Sequence, residues 1–279
     1  MKISRRCLLA GGVGASLVRG WGRVRGLKVG VTDWNLHLTG KVEAVEAAAR
    51  LRFDGVQVSL GRKPIDGKLP LDDTVIQQQY LTASKINKIP IDGTCLDILH
   101  VNCLKNDKLG AKWVADAIPI TKKLDTRVIL LPFFGKCALK TPQEMDYVGD
   151  VLKEIAPEAE KAGVILGLED TISAEDNVRI MERSKSPVVL TYYDVGNSTQ
   201  GGFDVVKEIR WLGKDRICQF HLKDNPHYLG EGTIDFAAVL KAIEDIGFHG
   251  FANLETESPS NAVEDDLTRN LRYVRRLVG

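Results

Sequence analysis

From residue 27 onward, short runs of β-branched and other apolar residues alternate with longer segments of helical periodicity. In chain order, the predicted strands are Leu27–Asp33, Gly55–Leu60, Ile89–Asp97, Arg127–Pro132, Val164–Asp170, Val188–Val195, Ile217–Asp224 and Gly250–Thr256. No long linker or change of composition divides the strands into two groups. Eight strand–helix units in about 250 residues are typical of one closed barrel, with an open doubly wound sheet as the alternative. We therefore predict an α/β protein with a single (β/α)₈ TIM barrel over residues 27–279.

The helical segments that the pattern locates lie between these strands and after the last one. They are Val42–Arg52, Thr74–Asn87, Lys112–Lys123, Gln143–Ala162, Asp204–Leu212, Phe236–Ile246 and Ala262–Leu277. Thr141-Pro142 indicates the start of one helix, and Gly163 and Gly247 indicate the ends of two others.

The overall charge gives no sign of a polyanionic partner. The chain has 279 residues, 38 Lys and Arg against 37 Asp and Glu, and a formal net charge of +1. A protein that binds nucleic acid through its phosphates usually carries a clear excess of basic residues. We therefore predict a small-molecule ligand and no nucleic-acid partner, and a homo-oligomer remains open.

The N-terminal segment differs from the rest of the chain. Arg5 and Arg6 precede an apolar run from Leu8 to Val18, which is the layout of a secretory signal. The segment Ser4–Leu9 also resembles a twin-arginine export signal. The run is shorter than the roughly 20 residues of a transmembrane helix. We predict that residues 1–26 are an export signal of a periplasmic or extracellular protein with no stable membrane span, with a disordered or membrane-tethering start as the alternative.

The cysteines do not form a recognisable motif. Cys7 lies in the export segment, and Cys95, Cys103, Cys137 and Cys218 have spacings that match no zinc-finger or redox pattern. These four are predicted to be ordinary thiols. Cys95 and Cys218 lie in apolar runs, where free cysteine behaves as a small hydrophobe. A disulfide between Cys103 and Cys137 remains open.

Polar residues end four successive predicted strands, the fifth to the eighth. They are Glu169, Asp194, His221 and Glu255. The strand ends of such a barrel carry its chemistry, and buried carboxylates are costly unless they are paired or bind a metal. We therefore predict one divalent metal ion as cofactor, Mn²⁺ in preference to Mg²⁺, Co²⁺ or Zn²⁺. Taken singly, each residue could instead cap a helix, form a salt bridge or belong to a turn.

The same strand ends resemble those of a known family. Glu169, the Asp-Val-Gly-Asn segment at 194–197, the His-Leu-Lys-Asp segment at 221–224 and Glu255 are similar to the xylose isomerase-like TIM-barrel family. That family contains sugar and sugar-phosphate isomerases, 3-epimerases and related dehydratases. The resemblance extends over residues 27–279.

The resemblance implies roles for individual residues. Glu169, Asp194, His221 and Glu255 would hold one metal ion, and the two glutamates would also act as the acid and base. Gly230-Glu231-Gly232 is similar to a family segment whose glutamate lies near the substrate, although an ordinary glycine-flanked turn is the alternative.

Four further residues are predicted to contact the substrate. Lys223 lies two residues beyond His221, so both side chains should point to the same side of the strand. Lys223 would bind an oxyanion or form a salt bridge with a neighbouring acid. Trp34, at the end of the first strand, would stack on a sugar or cover the barrel mouth. His100 and Asn197 complete the set.

The predicted chemistry is proton removal beside a carbonyl. A metal bound to adjacent carbonyl and hydroxyl oxygens acidifies the C–H between them and stabilises an enediolate. We predict a metal-dependent sugar isomerase or 3-epimerase, acting on an unphosphorylated sugar or keto-sugar because phosphorylated sugars are chiefly cytoplasmic. A keto-sugar or keto-glycoside lyase or dehydratase is the alternative, followed by a non-catalytic secreted sugar-binding barrel. The family's nuclease branch uses three zinc ions and additional histidines. Strand two ends in Gln57-Val58-Ser59 and position 197 is Asn, so we predict no trinuclear centre.

Overall fold

A computed structural model describes residues 26–279, which form a closed parallel barrel. Its strands are β1 Leu27–Thr32, β2 Gly55–Ser59, β3 Ile91–Cys95, β4 Val128–Pro132, β5 Ile165–Glu169, β6 Val189–Asp194, β7 Ile217–Leu222 and β8 Gly250–Leu254. Each strand pairs with the next one in the sequence, and β8 pairs with β1 through the register Val31↔Leu254. The predicted TIM barrel and its eight strands are confirmed.

The helices surround the barrel. They are α1 Glu43–Arg50, α2 Thr74–Asn87, α3 Lys108–Lys123, α4 Pro142–Ala162, α5 Ala174–Ser184, α6 Val195–Gln200, α7 Val205–Leu212, α8 Phe236–Asp245 and α9 Val263–Val278. Several helix ends carry the predicted signals. Thr141 and Glu144 form a capping box with Pro142 in the first turn of α4, and Gly163 ends that helix in the left-handed conformation with φ 70°.

Three helices differ from the sequence prediction. Helix α3 begins at Lys108 rather than Lys112, after the Asp107 side chain caps its first turn. The periodicity did not locate α5, which is strongly polar and begins at Ser173, whose side chain accepts a hydrogen bond from the Asp176 amide. Val195 was assigned to the sixth strand but is the first residue of α6. The strand ends one residue earlier because the Asp194 side chain caps this short helix, which outweighs the strand preference of a β-branched residue.

A disulfide corrects the prediction that all four cysteines in the barrel are ordinary thiols. Cys103, before α3, is bonded to Cys137, after β4, whereas Cys95 and Cys218 are free as predicted. The disulfide joins two loops at the mouth of the barrel. The same two loops carry His100 and Phe134, whose rings stack with centroids 6.1 Å apart.

The predicted export signal, residues 1–26, lies outside the described residues except for Gly26, so that prediction stays untested. None of the helices within residues 26–279 combines the length and the apolar character that a bilayer crossing requires.

Candidate metal and substrate site

Four potential metal ligands meet at the carboxyl-terminal end of the barrel. Glu169 and Asp194 are the last residues of β5 and β6, His221 is the penultimate residue of β7, and Glu255 directly follows β8. One ligand atom from each of the four lies within 4.8 Å of the others. The closed parallel barrel brings them together, because it places the ends of neighbouring strands side by side.

The His221 ring lies at the centre of this group, which we call the ligand cluster. Its Nδ1 is 2.7 Å from Glu169 Oε1, 3.5 Å from Glu255 Oε2 and 3.7 Å from Asp194 Oδ2. The ring is fully buried and packs against Tyr192, with ring centroids 4.5 Å apart. Nδ1 is thus the ring nitrogen that faces all three carboxylates.

Burial changes the acidity of the cluster. It raises the pKa of the Glu169 carboxyl well above its usual range, and the nearby charge of Glu255 adds to this effect. It also raises the pKa of Asp194 to about 7, against the opposing effect of the Lys223 ammonium. For Glu255, burial is outweighed by His221 and Lys223, which lower the pKa of this carboxyl. The two glutamates therefore have opposite tendencies to hold a proton.

Lys223 supplies the positive charge of the cluster. Its Nζ is 2.6 Å from Glu255 Oε2 and 2.9 Å from Asp194 Oδ2. The side chain points to the same side as His221, as predicted, and it takes the predicted salt-bridge position. Gly196 leaves room for its stem, because a Cβ there would lie 2.4 Å from Lys223 Cγ. This close approach explains the glycine in the Asp-Val-Gly-Asn segment.

The ligand cluster fits a divalent cation on two observations. First, the two buried carboxylates, the partly buried Glu255 carboxylate and one ammonium leave two negative charges uncompensated when the acids are ionised, which a divalent ion would neutralise. Second, the two oxygens of Asp194 have separate roles. Oδ1 accepts the cap hydrogen bond from the Asn197 amide at 2.8 Å, whereas the buried Oδ2 accepts no well-aligned hydrogen bond and has the ion pair with Lys223 at 2.9 Å. Oδ2 is therefore the oxygen of Asp194 that is directed at positive charge and could bind a cation.

The ligand cluster opens into a cavity of about 740 Å³ at the mouth of the barrel. Trp34, His100, Asn197 and Lys223, all predicted as substrate contacts, line this cavity together with Glu169 and Glu255. The Asn197 Nδ2 is buried and donates no hydrogen bond. The Trp34 Nε1 donates to Glu255 Oε1 at 3.1 Å, so each oxygen of Glu255 has a donor. The cavity thus combines the ligand cluster with free polar groups for a small ligand.

Glu231 is not brought to this cavity. Its side chain is half exposed and forms an ion pair with Arg269 on α9. The guanidinium of Arg269 in turn lies 3.7 Å from the centre of the Tyr228 ring. The glycine-flanked segment around Glu231 therefore forms an outer turn in this structure.

Several cavity residues had no counterpart in the sequence analysis. Ser59 and Asp97 face the cavity and are hydrogen-bonded to each other, and Arg62 and Lys63 lie at its rim. Gln57, at the position where the nuclease branch has a histidine, accepts a hydrogen bond from His221. A signal for Gln57 and Ser59 existed in the strand alternation, since residues two apart on β2 share a face.

Comparison with known proteins identifies the family. The profile described as xylose isomerase-like TIM barrel matches residues 45–277. The chain belongs to this family. One curated relative is the 2-epi-5-epi-valiolone 7-phosphate 2-epimerase of an Actinoplanes species. The chain is 22% identical to this relative over 214 residues, which cover 74% of the chain and 76% of the relative. It is also 35% identical over 81 residues to a putative L-ribulose-5-phosphate 3-epimerase of Escherichia coli, but this covers only 25% of the chain and 28% of that relative.

Solved structures agree with the family fold. A crystal structure of D-psicose 3-epimerase in the presence of D-fructose matches with a TM-score of 0.77, over 90% of this chain and 99% of the other, at 15% sequence identity. At 15% identity, this likeness shows that the two proteins share a fold, and it does not show the substrate of this protein.

Proposed function

We propose that this protein is a metal-dependent sugar epimerase or isomerase that moves a proton at the carbon beside a carbonyl group. One observation carries the proposal. Two glutamates of the ligand cluster, Glu169 and Glu255, line a cavity at the end of the TIM barrel where such barrels carry their catalytic residues. The names of two curated relatives, a 2-epimerase and a putative 3-epimerase, support the same reaction class.

The metal ion would be held by Glu169, Asp194, Glu255 and the Nδ1 of His221. When bound there, a divalent cation supplies Lewis-acid polarisation of the substrate carbonyl. Asp194 and His221 serve as ligands alone, since neither lines the cavity. Glu169 and Glu255 reach both the ligand cluster and the cavity, so these two can also exchange a proton with the substrate.

The two glutamates approach the cavity from the ends of different strands, β5 and β8, and their carboxylates lie 2.7 and 3.5 Å from Nδ1 of His221. In an epimerisation, one group removes the proton from one face of the substrate and the other returns a proton to the opposite face. Trp34 and Lys223 each donate a hydrogen bond to Glu255 and so orient its carboxylate. Asn197 and His100 are the groups that would bind substrate hydroxyls.

Deuterium exchange tests this proposal. The protein, loaded with Mn²⁺, is incubated in D₂O with matched pairs of ketopentoses, ketohexoses and their phosphates, and the products are followed by NMR. We expect deuterium at one carbon beside the carbonyl together with formation of the epimer or the isomeric aldose. The chelated protein is the control. A product that has lost water or an aglycone would instead indicate a lyase, and no exchange with any sugar would refute the proposal.

We also propose that the protein acts outside the cytoplasm. The twin-arginine-like segment Ser4–Leu9 supports export, and so does the Cys103–Cys137 disulfide, because such bonds persist in oxidising compartments. We expect cell fractionation of the full chain to recover it in the periplasm or medium. The Arg5→Lys, Arg6→Lys double variant should stay in the cytoplasm. If the unchanged protein and the double variant were recovered in the same proportions from cytoplasm and periplasm, export through this signal would be contradicted.

A further inference from the structure

A chain of buried polar side chains lies below the ligand cluster and begins at His221. The Nε2 of His221 is 2.8 Å from Gln57 Oε1, on the side of the ring opposite the carboxylates. The hydroxyl of Tyr192 donates to the same Oε1 at 3.2 Å. All three side chains are buried, so each of these contacts forms away from solvent.

The hydrogen bonds continue to the far side of the barrel interior. Asn253 Nδ2 donates to the Tyr192 oxygen at 3.1 Å and to Asp92 Oδ1 at 3.0 Å. Space for this pair comes from a glycine, since a Cβ at Gly30 would lie 1.9 Å from Asn253 Oδ1 and 2.3 Å from Asp92 Oδ2. The side chains of Asn253 and Asp92 are therefore closely confined.

These hydrogen bonds determine which nitrogen of His221 carries the proton. The Tyr192 oxygen accepts from Asn253, and the Tyr192 hydroxyl donates its own hydrogen to Gln57. The amide of Gln57 then presents its oxygen to His221, and an oxygen can only accept. In this arrangement Nε2 of His221 carries a proton and donates it to Gln57, so the lone pair of a neutral ring is on Nδ1. The 2.7 Å contact between Nδ1 and Glu169 Oε1 is then a hydrogen bond in which the Glu169 carboxyl is the donor. Nδ1 is the nitrogen that faces the three carboxylates.

We propose that Gln57 is a positioning residue for the candidate metal site, because its side-chain oxygen holds the proton of His221 on Nε2 and so prepares Nδ1 to bind the cation. Residues behind a histidine ligand commonly fix its ring and tautomer, and their loss weakens metal binding by about 10- to 100-fold. The proposal rests on the metal site of the proposed function. The tautomer, however, is a property of the metal-free protein and can be measured separately.

Three variants test the role of Gln57. Gln57→Leu removes the acceptor at similar size, Gln57→Glu keeps an acceptor, and Gln57→Asn keeps an amide that is too short to reach His221. Gln219→Leu is the matched control, because Gln219 is equally buried in the barrel but its amide donates to the main-chain oxygen of Asp92 at 2.7 Å. The readouts are the tautomer of His221 from ¹⁵N NMR of the metal-free protein and the affinity for Mn²⁺ from calorimetry.

We expect the Nε2–H tautomer in the unchanged protein, in Gln57→Glu and in Gln219→Leu. Gln57→Leu should lose this preference and bind Mn²⁺ about 10- to 100-fold more weakly, and Gln57→Asn gives the same test if Gln57→Leu does not fold. An unchanged tautomer and affinity in these variants, or equal weakening in Gln219→Leu, would overturn the proposal. An unchanged protein that has the Nε2–H tautomer but binds no Mn²⁺ would instead refute the metal-dependent function.

Discussion

Glu169→Gln and Glu255→Gln are each expected to lower the kcat of epimerisation by orders of magnitude while the protein remains folded. Glutamine has nearly the shape of glutamate but cannot take up or deliver the proton. General acid–base groups contribute about 10²- to 10⁴-fold to rate, and we expect kcat to fall within that range for each variant. Steady-state kinetics with saturating Mn²⁺ measures the effect, because excess metal compensates for the weaker ligand that an amide oxygen provides.

Half-reactions provide a sharper form of the same prediction. If the two glutamates serve opposite faces of the substrate, each variant retains one competent group. Glu169→Gln should then still exchange solvent deuterium into one epimer, and Glu255→Gln into the other, although neither variant interconverts the two. This reciprocal pattern follows from two proton-transfer groups on two strands and would not arise from general damage to the site.

Glu257→Gln is the matched control. Glu257 lies two residues beyond Glu255, its side chain is exposed, and it is not part of the cavity lining that the structure describes. Its kcat and KM should equal those of the unchanged protein. Unaltered epimerisation in either Glu169→Gln or Glu255→Gln would remove that residue from the proposed chemistry.

The ligand cluster could be predicted from sequence because fold and chemistry reinforce each other. Alternating strands and helices indicate a parallel barrel, and such a barrel gathers the ends of all its strands at one edge. Glu169, Asp194 and His221 come from consecutive strands, so knowing the order of the strands was enough to group them. Local detail was less accessible. The Cys103–Cys137 bond joins loops 34 residues apart, and no spacing rule predicts that contact.

The hydrogen bonds below the ligand cluster could not be predicted from the sequence. Tyr192 and Asn253 each lie two residues before a predicted ligand, so strand alternation predicts that their side chains point into the barrel interior, as the ligands do. Their partners depend on the pairing register. The pairing of β2 with β3 shifts between Val56 and Gln57, and no sequence pattern marked that shift. The contact between Gln57 and His221 therefore emerges only from the assembled barrel.

Removal of the metal is expected to cost both activity and stability. We expect about one divalent ion per chain by elemental analysis, and a chelator should abolish epimerisation until Mn²⁺ is restored. Without the cation, the buried acids of the ligand cluster either stay ionised with two uncompensated negative charges or take up protons, and both cost free energy of folding. At 100 times its dissociation constant, the ion should add about 2.7 kcal/mol to the free energy of unfolding, or about 5–10 °C in Tm. Thermal denaturation with and without Mn²⁺ measures this rise.

Asp194→Asn separates the metal effect from folding. An asparagine oxygen can still accept the cap hydrogen bond that Asp194 Oδ1 receives from the Asn197 amide, so α6 should be retained. The charged oxygen that faces His221 is lost, and the rise in Tm with Mn²⁺ should disappear with it. A rise that persists in Asp194→Asn would mean that the ion binds elsewhere. Three zinc ions per chain would instead favour a nuclease-type centre, for which the described residues 26–279 supply one cluster of ligands rather than several.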